Sequence, residues 1–151
     1  MSLKNYIEYE CTRQTFRLWP FSAVRWLDWD TDYSLAQSMW PESSPLTQEI
    51  WQQARREKYT YCAVIEGNQI QSMAAVWKYS DTAWEVAAVG TRPAMRRRGY
   101  AKAVVSFVTA YILDAGRLAT CSTASDNIAM QRTAESIGFY PVRRSVDESR
   151  R

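Results

Sequence analysis

The chain has 151 residues and a formal net charge of +3, with no histidine and three cysteines. The length suits one domain with a full core. The lack of histidine excludes Ser-His and Cys-His catalysis and most zinc chemistry. Cys11, Cys62 and Cys121 are widely spaced and odd in number, so they read as thiols of a reducing compartment, with the cytoplasm as the expected location. No run of about 18 apolar residues calls for a membrane span.

In chain order, residues 12–18 read as one extended strand and 23–29 as another. Asp30-Thr31-Asp32 starts a short helix over 33–40, and 41–45 form a Pro-flanked loop. Leu46, Ile50, Trp51 and Ala54 recur at helical spacing and predict a helix over 46–58. Two β-rich runs, 59–65 and 69–79, flank a Glu66-Gly67-Asn68 turn and predict a hairpin. A strand over 83–89 follows Ser80-Asp81-Thr82. After Gly99, one helix face carries Ala101, Val104, Val105, Val108, Tyr111 and Ile112, and Asp114-Ala115-Gly116 ends that helix. Residues 118–122 read as a strand. Ser125-Asp126-Asn127 caps a helix over 127–137, and Gly138 fits its C′ position with Phe139 as the apolar partner. Residues 140–146 form a last strand, and 146–151 an unstructured tail. From residue 23 on the order is β-α-α-β-β-β-α-β-α-β, which makes one α/β domain with a mixed sheet over residues 1–151, with 1–20 as an N-terminal extension.

Seven tryptophans, mostly in the N-terminal half, serve either as packing or as an aromatic wall for a substrate. Asp28, Asp30 and Asp32 with Trp26, Trp29 and Trp40 suit a cationic, partly apolar amine. They equally suit a capped helix start and its core.

The basic segment carries more information. Between Glu85 and Asp114 there is no acidic residue, while Arg92, Arg96, Arg97, Arg98 and Lys102 all fall inside that window. A strand, a basic loop with Gly99 and a helix N-terminus follow one another. That arrangement aims free backbone N–H groups and the positive helix end at one point, a place to hold phosphate. Arg96-Arg97-Arg98-Gly99-Tyr100-Ala101 fits the pattern Arg/Gln-x-x-Gly-x-Gly/Ala. It lacks the Gly-Lys-Ser/Thr of a Walker loop and the glycine spacing of a dinucleotide fingerprint.

Glu85 is the second signal. Alternation puts Trp84, Val86 and Ala88 on one strand face and Glu85, Ala87 and Val89 on the other, both otherwise apolar. A lone carboxylate there is costly unless paired or functional. Burial would raise its pKa from about 4.3 toward neutrality, which suits a base acting on an ammonium group. A structural ion pair is the other reading.

With the strand ahead of it and Asn127…Ile137-Gly138-Phe139 behind, the basic segment resembles the GNAT family of acetyl-CoA-dependent N-acetyltransferases. The resemblance spans roughly residues 59–140. It implies a mixed central sheet flanked by helices, with acetyl-CoA as co-substrate in a cleft between two splayed central strands and no metal. It implies that the backbone of Ala88, Val89 and Thr91 hydrogen-bonds the pantetheine arm. It implies that the N–H groups of Arg97, Arg98, Gly99, Tyr100, Ala101 and Lys102 receive the pyrophosphate, with Arg96 adding charge. Asn127 is then a pantetheine contact, and Arg132 either approaches the adenosine end or lies on a solvated helix face. Glu85 is the implied general base. The implied acceptor is a primary amine, on a small molecule or a peptide N-terminus.

Two departures from the family pattern matter. Ala134 stands where the family often has an acid tyrosine, and Thr133 and Ser136 are turned from that direction by about 100° or more. After Phe139 there is room for one strand only, so the N-terminal segment is expected to supply a missing edge strand, within the chain or by exchange in a homodimer. A non-catalytic acyl-CoA sensor is the alternative favoured by Ala134. An RNA-binding domain is disfavoured by the lack of a second basic patch with interleaved aromatics, so neither nucleic acid nor membrane is expected as a partner.

Overall fold

The computed structural model describes residues 4–20 and 23–147. The elements are β1 (Lys4–Cys11), β2 (Val24–Trp26), α1 (Tyr33–Gln37), α2 (Gln48–Arg56), β3 (Tyr59–Glu66), β4 (Gln69–Trp77), β5 (Ala83–Thr91), α3 (Tyr100–Asp114), β6 (Leu118–Ala124), α4 (Ile128–Ile137) and β7 (Tyr140–Asp147), with a 3₁₀ turn at Pro93–Met95. One 7-stranded sheet has the order β2-β3-β4-β5-β6-β1-β7. Its pairs are antiparallel except β5 with β6, which run parallel. Residues 148–151, most of the expected tail, lie outside the described residues; Val146 and Asp147 continue β7.

Local chemistry explains the helix ends. Thr47 Oγ1 accepts from the Ile50 amide at 3.1 Å and opens α2. Asn127 Oδ1 accepts from Met130 N at 3.1 Å and opens α4. Gly138, at φ +106°, closes α4, with Phe139 N donating to Ala134 O at 3.0 Å.

Strand alternation divides the apolar residues between two cores, one on each side of the sheet. Ile7, Tyr9 and Cys11 of β1, Cys62 and Val64 of β3, and Ala119 and Cys121 of β6 pack under α3 and α4. There they meet Val104, Val105, Val108, Ile112, Ala134 and Ile137. Tyr61, Ala63, Met73 and Ala75 of β3 and β4 pack on the other side under α1 and α2, against Ala36 and Trp51.

Two expectations about the N-terminus are corrected. The strand is Lys4–Cys11, not 12–18. The alternation Ile7-Glu8-Tyr9-Glu10-Cys11 buries its apolar members against α3 and α4. Residues 12–20 instead cross the outside of that layer as a loop, held where Arg17 N donates to Ile137 O at 2.8 Å. The crossing is close: a β-carbon on Gly138 would lie 2.0 Å from Thr15 O. Nor is β1 an edge strand. It lies between β6 and β7 of its own chain, from Tyr6↔Ala124 to Cys11↔Ala119 on one side and Lys4↔Asp147 to Glu10↔Tyr140 on the other.

Candidate functional site

The site begins where two parallel strands part. β5 and β6 pair at Ala83↔Leu118, Trp84↔Ala119 and Glu85↔Thr120, and the pairing ends there. Beyond that point β5 continues to Thr91 against β4, and β6 continues to Ala124 against β1. A notch between two neighbouring strands is left, with Glu85 at its closed end.

A bulge in β5 shapes one wall. Ala75 pairs with Ala87 and Met73 with Gly90, so Ala88 and Val89 together oppose Ala74. Ala88 sits at φ +53°, a left-handed conformation uncommon outside glycine. The extra residue reverses the side-chain alternation beyond it. The sequence expectation put Val89 on the face of Glu85 and Ala87. The structure returns it to the face of Val86, packed on the α3 core, while Ala87 joins the core under α1 and α2.

Glu85 is half-buried. In register beside it lies Thr120, and beyond Thr120 lies Glu10 of β1. On β6, Ala119, Cys121 and Thr123 are buried, whereas Thr120, Ser122 and Ala124 are half-exposed. The row Glu85–Thr120–Glu10 therefore lies on the face that α3 and α4 do not cover. The Thr120 hydroxyl donates to Trp84 O at 3.3 Å, so the phenol of Tyr79, 3.0 Å away, donates to Thr120. Tyr79 and Thr120 are site residues that sequence reasoning missed. Only the parallel register of β5 and β6 brings them to Glu85. On the opposite face Cys121 is buried. Burial, with the Glu85 charge adding to it, pushes its thiol up to about 12.

At the far end of β5, the chain passes through the 3₁₀ turn into α3. Arg92 is structural: its Nε donates to Ile70 O at 2.7 Å and its amide to Gln71 O at 2.9 Å. Arg96, Arg97 and Arg98 are exposed. Gly99, at φ +82°, is the N-cap residue of α3, and Ala103 N donates to Gly99 O. The amides of Arg97, Arg98, Gly99, Ala101 and Lys102 donate to no protein acceptor among the described residues. Tyr100 is buried. Its hydroxyl donates to Glu66 Oε1 at 2.7 Å, which ties the start of α3 to the β3–β4 hairpin and raises the Tyr100 pKa. Gly99 meets a requirement the sequence did not reveal: a β-carbon there would lie 3.2 Å from Cζ2 of Trp19.

The remaining candidates are placed as follows. Thr91 Oγ1 lies 2.8 Å from the Ser72 hydroxyl, in the β4–β5 pair. The side-chain oxygen of Asn127 is used as the α4 cap. Arg132 is exposed on α4, away from any ion pair among the described residues. Ala134 is fully buried in the α3–α4 core, so that position carries no acid. Asp28, Asp30 and Asp32 form a capped loop: Asp28 Oδ1 accepts from Asp30 N and Thr31 N, Asp32 accepts from Asp28 N and Arg25, and Asp30 pairs with Arg55. Trp29 packs on Trp51 and Tyr61, and Trp40 on Tyr61. Trp26 lies against Phe107 and Tyr111, on the other side of the sheet. These residues form loop and core, and the structure does not gather them into a substrate wall.

Among solved structures, a GNAT-family protein from Novosphingobium aromaticivorans superposes with a TM-score of 0.77 at 19% identity, covering 97% of this chain and 63% of that one. A GNAT-family acetyltransferase from Colwellia psychrerythraea superposes with a TM-score of 0.72 at 17% identity, covering 97% and 56%. AAC(6')-Iy, solved with the bisubstrate analogue CoA-S-monomethyl-acetylneamine, superposes with a TM-score of 0.66 at 14% identity, covering 82% and 94%. The chain thus spans less than two thirds of the first two, and at these identities the likeness is one of fold. No curated protein matches the chain. The profile described as the acetyltransferase (GNAT) family matches residues 21–139, the stretch that contains the notch, the bulge and the basic loop, and the chain belongs to that family.

Proposed function

We propose that the protein transfers an acetyl group from acetyl-CoA to a primary amine by direct attack. The observation that carries the reading is the set of amides of Arg97, Arg98, Gly99, Ala101 and Lys102 that donate to no protein acceptor among the described residues, set among exposed arginines and at the positive end of α3. Such a cradle fits a diphosphate. It lies at the end of the strand whose other end opens the notch, so the pantetheine arm has a strand edge to follow, along Ala88, Val89 and Thr91. Asn127, at the end of the other notch wall, keeps its side-chain NH₂ for a pantetheine carbonyl. Bound there, acetyl-CoA supplies a thioester already activated toward amines.

The chain's own residues do the rest. Glu85 accepts the proton that an ammonium acceptor must lose before its nitrogen can attack. The bulge takes Ala88 and Val89 out of the regular register with β4, on the strand that borders the notch, and a backbone amide aimed from there at the thioester carbonyl oxygen would stabilise the charge that builds on it. Tyr79, hydrogen-bonded to Thr120 in the Glu85 row, is the phenol available to this chemistry in place of Ala134. Glu10 and Glu85 give the uncovered face an acidic character that favours a cationic acceptor.

The test is calorimetry with acetyl-CoA, followed by thiol release with a panel of amines. Acetyl-CoA should bind and raise the melting temperature by mass action. Arg96→Glu with Arg97→Glu should weaken binding without altering the fold. Neither heat nor a melting shift with excess acetyl-CoA removes the reading. Gly99→Glu is a poor probe, because it strains a left-handed position and meets Trp19 whether or not coenzyme binds there. The complete burial of Ala134 favours one second reading, an acyl-CoA-binding sensor. Binding without thiol release, across amines of every class, would establish it.

A further inference from the structure

We propose that Trp19, carried in by the N-terminal segment, is part of the coenzyme site, forming the wall that holds the nucleotide half against the α3 cradle. The inference rests on the acetyl-CoA reading and goes beyond it, because residues 12–20 precede the family match. The Trp19 indole edge lies over the N-cap: Cζ2 and Nε1 are 3.2 and 3.4 Å from the place where a β-carbon of Gly99 would stand. Trp19 is 41% exposed, and among the described residues its Nε1–H donates to no protein group. One unused donor therefore sits beside the undonated amides of the cradle. The ring also holds a cation there, since Lys102 Nζ lies 4.8 Å from its centroid.

The position of Lys102 is costly without an anion. It stands in the first turn of α3, where the helix dipole repels positive charge and no acidic residue is present, next to Arg96, Arg97 and Arg98. Glu66, the carboxylate that reaches the start of α3 from the β3–β4 hairpin, is engaged by the Tyr100 hydroxyl. A phosphate-bearing ligand relieves that repulsion, and the Trp19 ring keeps the ammonium over the cradle rather than in solvent.

The backbone that carries the indole is anchored, which fixes where the ring starts from over α3. Trp19 N donates at 2.9 Å to Oγ of Ser106, a fully buried hydroxyl one turn beyond Lys102. Two residues earlier, Arg17 N is fixed to Ile137 O.

The experiment measures dissociation constants of CoA, adenosine 3′,5′-bisphosphate and S-acetylpantetheine for the parent, Trp19→Ala and Trp19→Phe. Trp19→Ala should weaken CoA and the bisphosphate about tenfold, the order seen when an aromatic platform is removed, and leave S-acetylpantetheine unchanged. Trp19→Phe keeps a ring and loses the N–H, so its loss should be smaller. If Trp19→Ala does not fold, the Phe variant carries the test, with the same split between nucleotide and pantetheine ligands. Equal or tighter CoA binding by the variants overturns the proposal, as does an equal loss for S-acetylpantetheine. A parent that binds no CoA overturns the acetyl-CoA reading and this inference with it. A parent that binds CoA with variants that match it overturns this inference alone.

Discussion

The strands β5, β6 and β1 present two unlike faces. On one, Val86, Ala119, Cys121, Ile7, Tyr9 and Cys11 are closed under α3 and α4. On the other, Glu85, Thr120 and Glu10 form a half-exposed polar row, because the core under α1 and α2 covers β3 and β4 and reaches β5 at Ala87. The same backbone serves both, and period-2 alternation keeps them apart. Carboxylates are tolerated in the middle of the sheet because their face is not closed. Stability therefore resides on one side and reactive groups on the other, so substitutions on the two faces should separate cleanly in their effects.

The sharpest break of the covered face is Gly138→Val. The new side chain would start 2.0 Å from Thr15 O at a φ of +106°. Strain and overpacking together should cost about 3 kcal/mol or more. Urea unfolding should show a much lowered midpoint or no cooperative transition. A midpoint equal to the parent's would mean that the crossing of 12–20 over α4 does not hold the layer.

On the open face the contrast is Glu85→Gln. Removal of a positioned base should lower kcat by about 10² to 10⁴ with the amine acceptor once one is found. The acidic limb of the pH–rate profile should vanish, while CoA affinity and melting temperature stay near the parent's. A large melting shift with little change in kcat would make Glu85 a structural charge and end the separation of faces at that residue.

How much of this was legible in the sequence depends on what fixes each feature. The basic loop, Gly99 and the caps of α4 are local chemistry, and the structure has them where the sequence places them. The placement of Val89 was not legible, because alternation holds only until the bulge at Ala88, which shows only in the register of β5 against β4. Tyr79 and Thr120 meet through a parallel pairing between residues far apart in the chain. The β1 strand escaped the sequence reading although Ile7, Tyr9 and Cys11 alternate with Glu8 and Glu10; nothing local says that 12–18, with Thr12, Thr15, Phe16 and Leu18, crosses α4 as a loop. The place of Gly99 at the head of α3 was legible, but its neighbour Trp19 was not, since nothing in the sequence says where that loop crosses α3.

A milder probe of the covered face is thiol chemistry. Cys11, Cys62 and Cys121 are all free and buried on that side. Burial pushes the Cys62 and Cys121 thiols up to about 12. Since the thiolate is the reactive form, the native protein at pH 8 should react with a disulfide reagent only through unfolding, and fully in denaturant. Prompt labelling of one native cysteine, located by peptide mapping, would show that the layer under α3 and α4 opens locally.

The smallest expected effect lies where the open face becomes covered, at the loop leading into α1. Asp32 accepts from Arg25 at 3.0 Å and from the backbone of Asp28, and its side chain is 13% exposed. The hydrogen bond from Arg25 is the largest influence on the carboxyl and lowers its pKa below the ordinary 3.8. A carboxyl with a lowered folded pKa binds fewer protons folded than unfolded, so stability rises with pH across that interval. The contribution is complete above the ordinary value and lost as pH falls through the lowered one. The partly exposed pair with its backbone bond should be worth about 1 kcal/mol or less. Asp32→Asn should therefore be slightly less stable than the parent at pH 7, and the two should converge in urea midpoint as pH falls below the ordinary 3.8 and through the lowered value. A gap that stays constant from pH 7 into acid would mean that the Asp32 charge plays no part in fastening α1 to the sheet, and that packing of Trp29, Trp51 and Tyr61 alone covers that end of the face.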